Sequence, residues 1–176
     1  MVLDNELAQL LKEGALSYGK ELNQQQVSQF GTYMELLKEW NKKINLTAIE
    51  EDREIIVKHF IDSMSILPYI NIEGQKLIDI GTGAGFPGIP LKIANPQLEV
   101  TLLDSLDKRV KFLNEVISAT NISEMTGTPE IKAVHGRAED FGVNPVYREK
   151  YDIAVARAVA NLPVLLEYCL PFVKLN

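Results

Sequence analysis

Apolar positions recur along this chain with two different periods, and the change falls near residue 75. Before it the spacing is helical. Leu3, Leu7, Leu10, Leu11 and Leu16 predict a first helix, with Gly19 as its stop. Asn23 predicts an N-cap for a second helix, whose apolar face carries Val27, Phe30, Tyr33, Met34, Leu37 and Trp40, the last read as core. The run Asn41-Lys42-Lys43-Ile44-Asn45-Leu46-Thr47 breaks the period. Asp52 predicts the cap of a third helix reaching about Leu67, with Ile56, Phe60, Met64 and Leu67 inward; Pro68 and the turn Asn71-Ile72-Glu73-Gly74 end it.

From Lys76 onward short apolar runs alternate with helical stretches. Strands are predicted at 76–80, 98–103, 130–134 and 151–156, and the clearest helix at 107–119, with Val110, Leu113, Val116 and Ile117 inward. Such βα repetition implies a parallel sheet covered on both faces. The fold expected is therefore α/β and Rossmann-like, with residues 1–75 as a helical extension and 76–176 as the nucleotide-binding domain. A doubly wound sheet has two halves. Only the first half and the start of the second are legible here, followed by a helix-like stretch Leu162–Leu170, so the sequence reads as truncated at its C-terminus. Strand 151–156 is then expected to be an exposed edge.

Composition narrows the function classes. Of 176 residues 46% are hydrophobic and 24% charged, an ordinary globular balance that allows one substantial core. No apolar run is long enough to span a bilayer, and the N-terminus lacks the basic and apolar regions of a secretory signal. The lone Cys169 fits a reducing compartment, so a cytoplasmic protein is expected, and the sequons at Asn45 and Asn121 are read as chance matches. One Cys and two distant His residues speak against a metal site. The net charge of −6 argues against nucleic acid, but unevenly: residues 1–75 hold 12 acidic and 7 basic residues, residues 76–176 hold 12 and 11. Basic clusters persist at Lys42-Lys43, Lys108-Arg109-Lys111 and Arg148 with Lys150, so nucleic acid stays open.

The candidate chemistry centres on Leu77-Ile78-Asp79-Ile80-Gly81-Thr82-Gly83-Ala84-Gly85-Phe86-Pro87, a buried strand running into three alternating glycines and a helix start at Pro87. Glycines allow a sharp turn and close approach of a ligand to backbone N–H groups. The dinucleotide fingerprint needs its third glycine where Phe86 stands, and no Lys-Ser or Lys-Thr follows for a P-loop. Asp79, Gly81, Gly83 and Gly85 instead suit a ligand with a bulky, non-phosphate part over the loop, which points to S-adenosylmethionine (SAM), a cation favoured by a nearby carboxylate. Asp104, closing the second strand, stands where such sheets place a ribose acceptor; it or Ser105 could alternatively cap the next helix. The loop His135-Gly136-Arg137-Ala138-Glu139-Asp140 could read an adenine edge or simply carry first-turn charges. Arg157 follows the fourth strand at the ligand-bearing edge and could meet a carboxylate or an RNA phosphate, the alternative being a surface salt bridge. His59, Asp62 and Ser63 share a helix face. A hydrolase triad is disfavoured because no nucleophile elbow accompanies them; a buried polar cluster packing the helix on the glycine loop is expected.

With those segments in place the chain closely resembles the bacterial small-subunit rRNA guanine-N7 methyltransferases, also called glucose-inhibited division protein B. The resemblance rests on Trp40 to Thr47, His59-Phe60-Ile61-Asp62-Ser63, Asp79 to Pro90, Leu103 to Arg109 and Ala156-Arg157-Ala158. It implies a SAM-dependent enzyme forming 7-methylguanosine in the 530 loop of 16S rRNA, with naked rRNA or the small ribosomal subunit as partner. It also implies cofactor contacts at Gly81, Phe86, Asp104, Ser105, Leu106, Ala138, Glu139 and Arg157. Guanine N7 carries a free lone pair, so no catalytic general base is expected. A methyltransferase with another acceptor, or a SAM-binding regulatory protein without turnover, is the alternative.

Overall fold

The computed structural model describes residues 3–122 and 129–175; Ser123, which completes the second sequon, lies outside them. Four parallel strands form one sheet: β1 (Lys76–Ile80), β2 (Glu99–Asp104), β3 (Ile131–His135) and β4 (Ile153–Val155), in the order β3-β2-β1-β4. Leu77 lies opposite Val100 and Ile153, so the ends of β1 and its two neighbours come together at one edge. β4 is shorter than the predicted strand. Tyr151 bridges outward to Val173, while Asp152 donates its N–H to Lys76 O at 2.9 Å. Its place at the sheet's edge matches expectation.

The N-terminal helices cover one face. α1 (Asn5–Ser17) buries Leu11 and Ala15, whereas Leu16, expected inward, is 62% exposed. α2 (Gln24–Ile44) starts at the predicted Asn23 cap, in a capping box with Gln26, and buries Val27, Phe30, Tyr33, Met34 and Leu37. Trp40 is only half-buried, packed against Phe112 at 5.8 Å.

The third helix departs from its prediction. It comprises α3 (Asp52–Ile55), a π turn (Ile56–Ile61) and α4 (Asp62–Met64). Glu51, not Asp52, occupies the N-cap, with no side-chain cap bond; Asp52 pairs with Lys38 instead. The helix ends at Met64, before a separate 3₁₀ turn at Leu67–Tyr69 that leaves Leu67 half-buried. The wider π spacing turns Ile55, Ile56, His59, Phe60, Ser63 and Met64 inward together.

α5 (Gly88–Ala94) and α6 (Asp107–Thr120) join this face, giving one core that runs from Leu11 through Phe30, Phe60 and Leu102 to Phe112. Buried side-chain bonds tie α2 to the α/β part. Gln26 Nε2 donates to Ile93 O at 2.7 Å, Gln29 Nε2 to Thr120 O at 3.0 Å, and Tyr33 Oη to Ala84 O at 2.5 Å. Lys92, 1% exposed, donates to the carbonyls of Pro96, Leu98 and Pro129, so its buried charge is fully hydrogen-bonded. The opposite face holds a smaller core of Ile78, Ile80, Leu103, Tyr151 and Phe172 under α7 (Ala138–Gly142) and α8 (Leu162–Cys169). Among the described residues no helix is long and apolar enough to cross a membrane.

Candidate functional site

The glycine corner follows β1 at the carboxyl edge. Gly81, Gly83 and Gly85 all have positive φ, of 64°, 61° and 97°. At Gly81 a Cβ would lie 2.7 Å from Val159 Cγ2, and at Gly85 2.6 Å from Ile89 Cδ1, so neither site admits a side chain without displacement. A Cβ on Gly83 would meet only Gly81 O among the described residues, at 3.9 Å, so there is open space at this position.

Two carboxylates fix this loop from below. Asp79 is fully buried; its Oδ2 accepts from Thr82 Oγ1 at 2.7 Å and from Gly88 N at 2.8 Å. Its Oδ1 has no partner among the described residues, and burial pushes the carboxyl up to about 6. Asp104, 2% exposed, accepts from Gly83 N at 2.8 Å and Leu106 N at 2.9 Å, with Arg109 at 3.5 Å. Neither Asp104 nor Ser105 is the helix cap. Leu106 holds the N-cap position of α6 without a side-chain bond, because Asp104 spends its carboxylate turning the chain two residues ahead.

Beside the corner lies a cavity of about 240 Å³, lined by Gly81, Ser105, Ala138, Glu139, Val159 and Tyr168 among others. Four of the predicted residues thus meet at one cleft: Gly81 from the loop, Ser105 from the end of β2, and Ala138 and Glu139 from α7. A larger hollow of about 710 Å³ lies away from this edge, among Glu6, Glu50, Glu51 and Asp52, where nothing aligns with the sheet's ligand-bearing end.

Phe86 and Arg157 are not at that cavity. They belong to a second constellation joining the corner to the helical layer. Phe86 is buried, and His59 stacks on it with centroids 4.4 Å apart and an 18° interplanar angle. Arg157 lies over the same ring at 4.8 Å. One guanidinium nitrogen donates to Asp62 Oδ2 at 2.9 Å and Lys58 O at 3.2 Å; the other meets His59 Nδ1 at 3.0 Å. Arginine only donates, so Nδ1 is the acceptor and the proton of the neutral imidazole sits on Nε2, directed at Thr47 Oγ1 2.7 Å away. Thr47 N in turn donates to Asn41 Oδ1 at 2.9 Å. Burial first, then the Arg157 charge, lowers the imidazole to about 4. Both ring nitrogens are occupied, so His59 is a strut and not a free base.

The expected polar cluster at His59, Asp62 and Ser63 forms only in part. His59 and Ser63 are buried, and Ser63 Oγ donates to His59 O at 2.5 Å, but the Asp62 side chain is 54% exposed. Leu106 is 51% exposed. The basic clusters are largely matched by local acids: Lys43 with Glu39, Lys111 with Asp107 and Arg148 with Glu149. Among the described residues no three His, Cys, Asp or Glu side chains converge to hold a metal ion. Sequence reasoning missed Thr47 and Tyr33 as partners of the corner; the clustering of Asn-Leu-Thr with His-x-x-Asp-Ser was the available signal.

The residues fit SAM. The open space at Gly83 and the cavity beside Gly81 admit a ligand, Ser105 and Glu139 offer polar contacts, Ala138 and Leu103 offer an apolar wall, and Asp79 Oδ1, unpaired among the described residues, places negative charge beneath the loop.

Among known proteins, residues 26–176 match the family model GidB, rRNA small subunit methyltransferase G. The chain is 61% identical over 170 residues to the ribosomal RNA small subunit methyltransferase G of Acetivibrio thermocellus, covering 97% of this chain and 68% of that protein. It is 55% identical over 173 residues to the protein of the same name from Alkaliphilus oremlandii, covering 97% and 70%. Among solved structures it is similar to the branched-chain polyamine synthase of Thermus thermophilus, with TM-score 0.53, 15% identity, and 81% and 40% of the two chains covered. A transferase of Pyrococcus horikoshii gives TM-score 0.51 at 16% identity, covering 64% and 38%. At such identities the likeness concerns the fold alone.

Proposed function

The chain belongs to the GidB family, rRNA small subunit methyltransferase G, and we propose that it methylates N7 of a guanosine in the 530 loop of 16S rRNA. Membership makes it a SAM-dependent rRNA methyltransferase. On this reading residues 76–176 seat SAM and residues 1–75 are an extension that braces the corner and helps present the RNA, in the cytoplasm where ribosomes are made.

The observation that carries the reading is the convergence of Gly81, Ser105, Ala138 and Glu139 on one cavity beside a loop with open space at Gly83. We assign the adenine to the wall formed by Ala138 and Leu103, and the ribose to the turn that Asp104 holds, with Ser105 and Leu106 beside it. The amino acid end lies over Gly81, Gly83 and Gly85, above Asp79. Phe86 and Arg157 contribute by fixing the loop's far side, since both are engaged by His59.

SAM, when bound, supplies a methyl group on a positively charged sulfur. The chain's own task is orientation: holding N7 in line with that methyl can supply roughly 7–11 kcal/mol without any proton transfer. The engagement of both His59 nitrogens at the corner is compatible with this, because the reaction asks no proton of the imidazole.

Incubation of the full-length protein with methyl-labelled SAM and either naked 16S rRNA or isolated small subunits tests the proposal. Label on a guanine N7 in the 530 loop is the expected result. Label only on small molecules or protein, or SAM binding without any transfer, would replace it with one of the two alternatives.

A further inference from the structure

One line of polar contacts carries the helical extension to the glycine corner, and its middle member is a hydroxyl. Thr47 stands in the segment that leaves α2 through Asn45, whose left-handed φ of 49° ends the helix. Its place is fixed from both sides. Thr47 N donates to Asn41 Oδ1 at 2.9 Å, and Ile49 N donates to Thr47 Oγ1 at 3.0 Å. The His59 Nε2–H takes the second lone pair of that oxygen, at 2.7 Å.

The torsion that turns an imidazole about its Cβ–Cγ bond is broad, so bonds at both ends of the ring are what set its plane. Thr47 holds one end, and Arg157 donates to Nδ1 at the other, at 3.0 Å. A ring flipped by half a turn would put carbon where each bond now stands. Set as it is, the buried imidazole lies on Phe86 with centroids 4.4 Å apart, and Arg157 is drawn over the same ring at 4.8 Å. Phe86 directly follows Gly85, the last of the three glycines, so the place of its ring decides where the loop ends. All of these contacts lie between the helical layer and the corner, within described and largely buried residues.

We propose that Thr47 and His59 are positioning residues for methyl transfer: Thr47 fixes the imidazole plane, and that plane sets Phe86 and Arg157 at the loop's far end. The proposal rests on the reading that this corner seats SAM. It divides the cofactor site in two. Adenine and ribose are assigned to the cavity side, at Ala138, Leu103 and the turn held by Asp104, which this line of contacts does not touch. The amino acid end is assigned over Gly81, Gly83 and Gly85. A loosened Phe86 therefore shifts the sulfur and its methyl relative to the acceptor, while the adenosine stays seated. Misplacing reacting groups by about 1 Å costs on the order of 100-fold in rate.

The test compares Thr47→Val, which keeps the shape and loses the acceptor, with Thr47→Ser, which keeps the hydroxyl. On the full-length protein one measures the single-turnover rate of methyl transfer from labelled SAM to 16S rRNA or small subunits, and the SAM dissociation constant by calorimetry. Thr47→Val should slow transfer about 10- to 100-fold, with SAM affinity changed far less. Thr47→Ser should recover most of the rate. Because Thr47 acts through the imidazole, Thr47→Val in a His59→Asn background should add almost nothing to the loss. His59→Asn itself offers Arg157 an amide oxygen in place of Nδ1 and should transfer faster than the similarly shaped His59→Leu. Should Thr47→Val fail to fold, the Asn and Leu pair carries the test. Equal rates in that pair overturn the proposal, as does a serine no better than valine. So does a full Thr47→Val loss in the His59→Asn background, or a loss of SAM affinity as large as the loss of rate. A wild type that binds no SAM, or binds it and transfers nothing, overturns the underlying reading instead, and is visible without any variant.

Discussion

On one face of the sheet α2, the Asp52–Met64 helix, α5 and α6 exclude water from Phe30, Phe60, Leu102 and Phe112 altogether; on the other α7 and α8 leave Leu162, Leu166 and Leu170 between 45% and 66% exposed. The corner sits between these regimes. Its Phe86 side is gripped by stacked rings and a four-membered hydrogen-bond chain, while its cavity side borders Val159 and Tyr168 on the thinly covered face. The site's rigidity thus comes from the helical layer, through side chains and not through the sheet alone. Substitutions on the two faces should therefore differ sharply in cost.

The largest effect belongs to Phe60, fully buried between Phe30 and Tyr33 at ring distances of 5.0 and 5.3 Å. Phe60→Ala should cost about 3–5 kcal/mol in urea unfolding, from lost transfer energy and the cavity left behind. A cost below about 1 kcal/mol would erase the contrast between the faces.

Next comes pH. His59 titrates at about 4 in the folded chain against its ordinary 6.5, so as pH falls the unfolded chain takes the proton first. Its contribution is complete above pH 6.5 and lost progressively down to pH 4, roughly 1–3 kcal/mol in all. Asp79, pushed up to about 6, acts oppositely and stabilises as pH falls through that value. Comparing wild type with His59→Phe cancels the Asp79 contribution. The difference between the two urea midpoints should shrink from pH 7 to pH 5, and a constant difference would count against the neutral strut.

Tyr33→Phe removes the buried bond to Ala84 O and leaves that carbonyl unpaired, which should cost about 1–2 kcal/mol and weaken SAM binding through the loosened loop. Calorimetric titration alongside thermal unfolding separates the two effects. Smallest of all, Leu166→Ala on the exposed stripe of α8 should stay within about 0.5 kcal/mol of wild type in the same unfolding assay.

Much of the architecture is legible in the order of residues alone. The change from helical to alternating period locates all four strands within a residue or two, because buried parallel strands are apolar runs bounded by turns. Asn23 is readable as a cap for the same local reason. Links between distant elements leave no such local mark. His59 and Arg157 are 98 residues apart, and nothing at either position announces the other. The π turn that aims His59 has no compositional signature, so helical spacing places Asp62 in a buried cluster when the wider turn leaves it exposed. Lys92 is 1% exposed and enclosed by three carbonyls, one of them from Pro129, a partner that no local pattern marks. The glycine corner is legible as a ligand turn; that Asp79 and Asp104 hold its backbone from below is not.

Whether this corner seats SAM is decided by calorimetric titration of SAM into the full chain, with Gly81→Ala as the comparison. A methyl at position 81 must displace Val159 at the edge of the cavity and occupy a backbone with φ 64°. The expected result is one SAM per chain, displaced by S-adenosylhomocysteine, and at least about tenfold weaker binding by a Gly81→Ala protein whose circular dichroism matches wild type. Absence of binding to the wild type, or equal affinity in a folded Gly81→Ala, would contradict it.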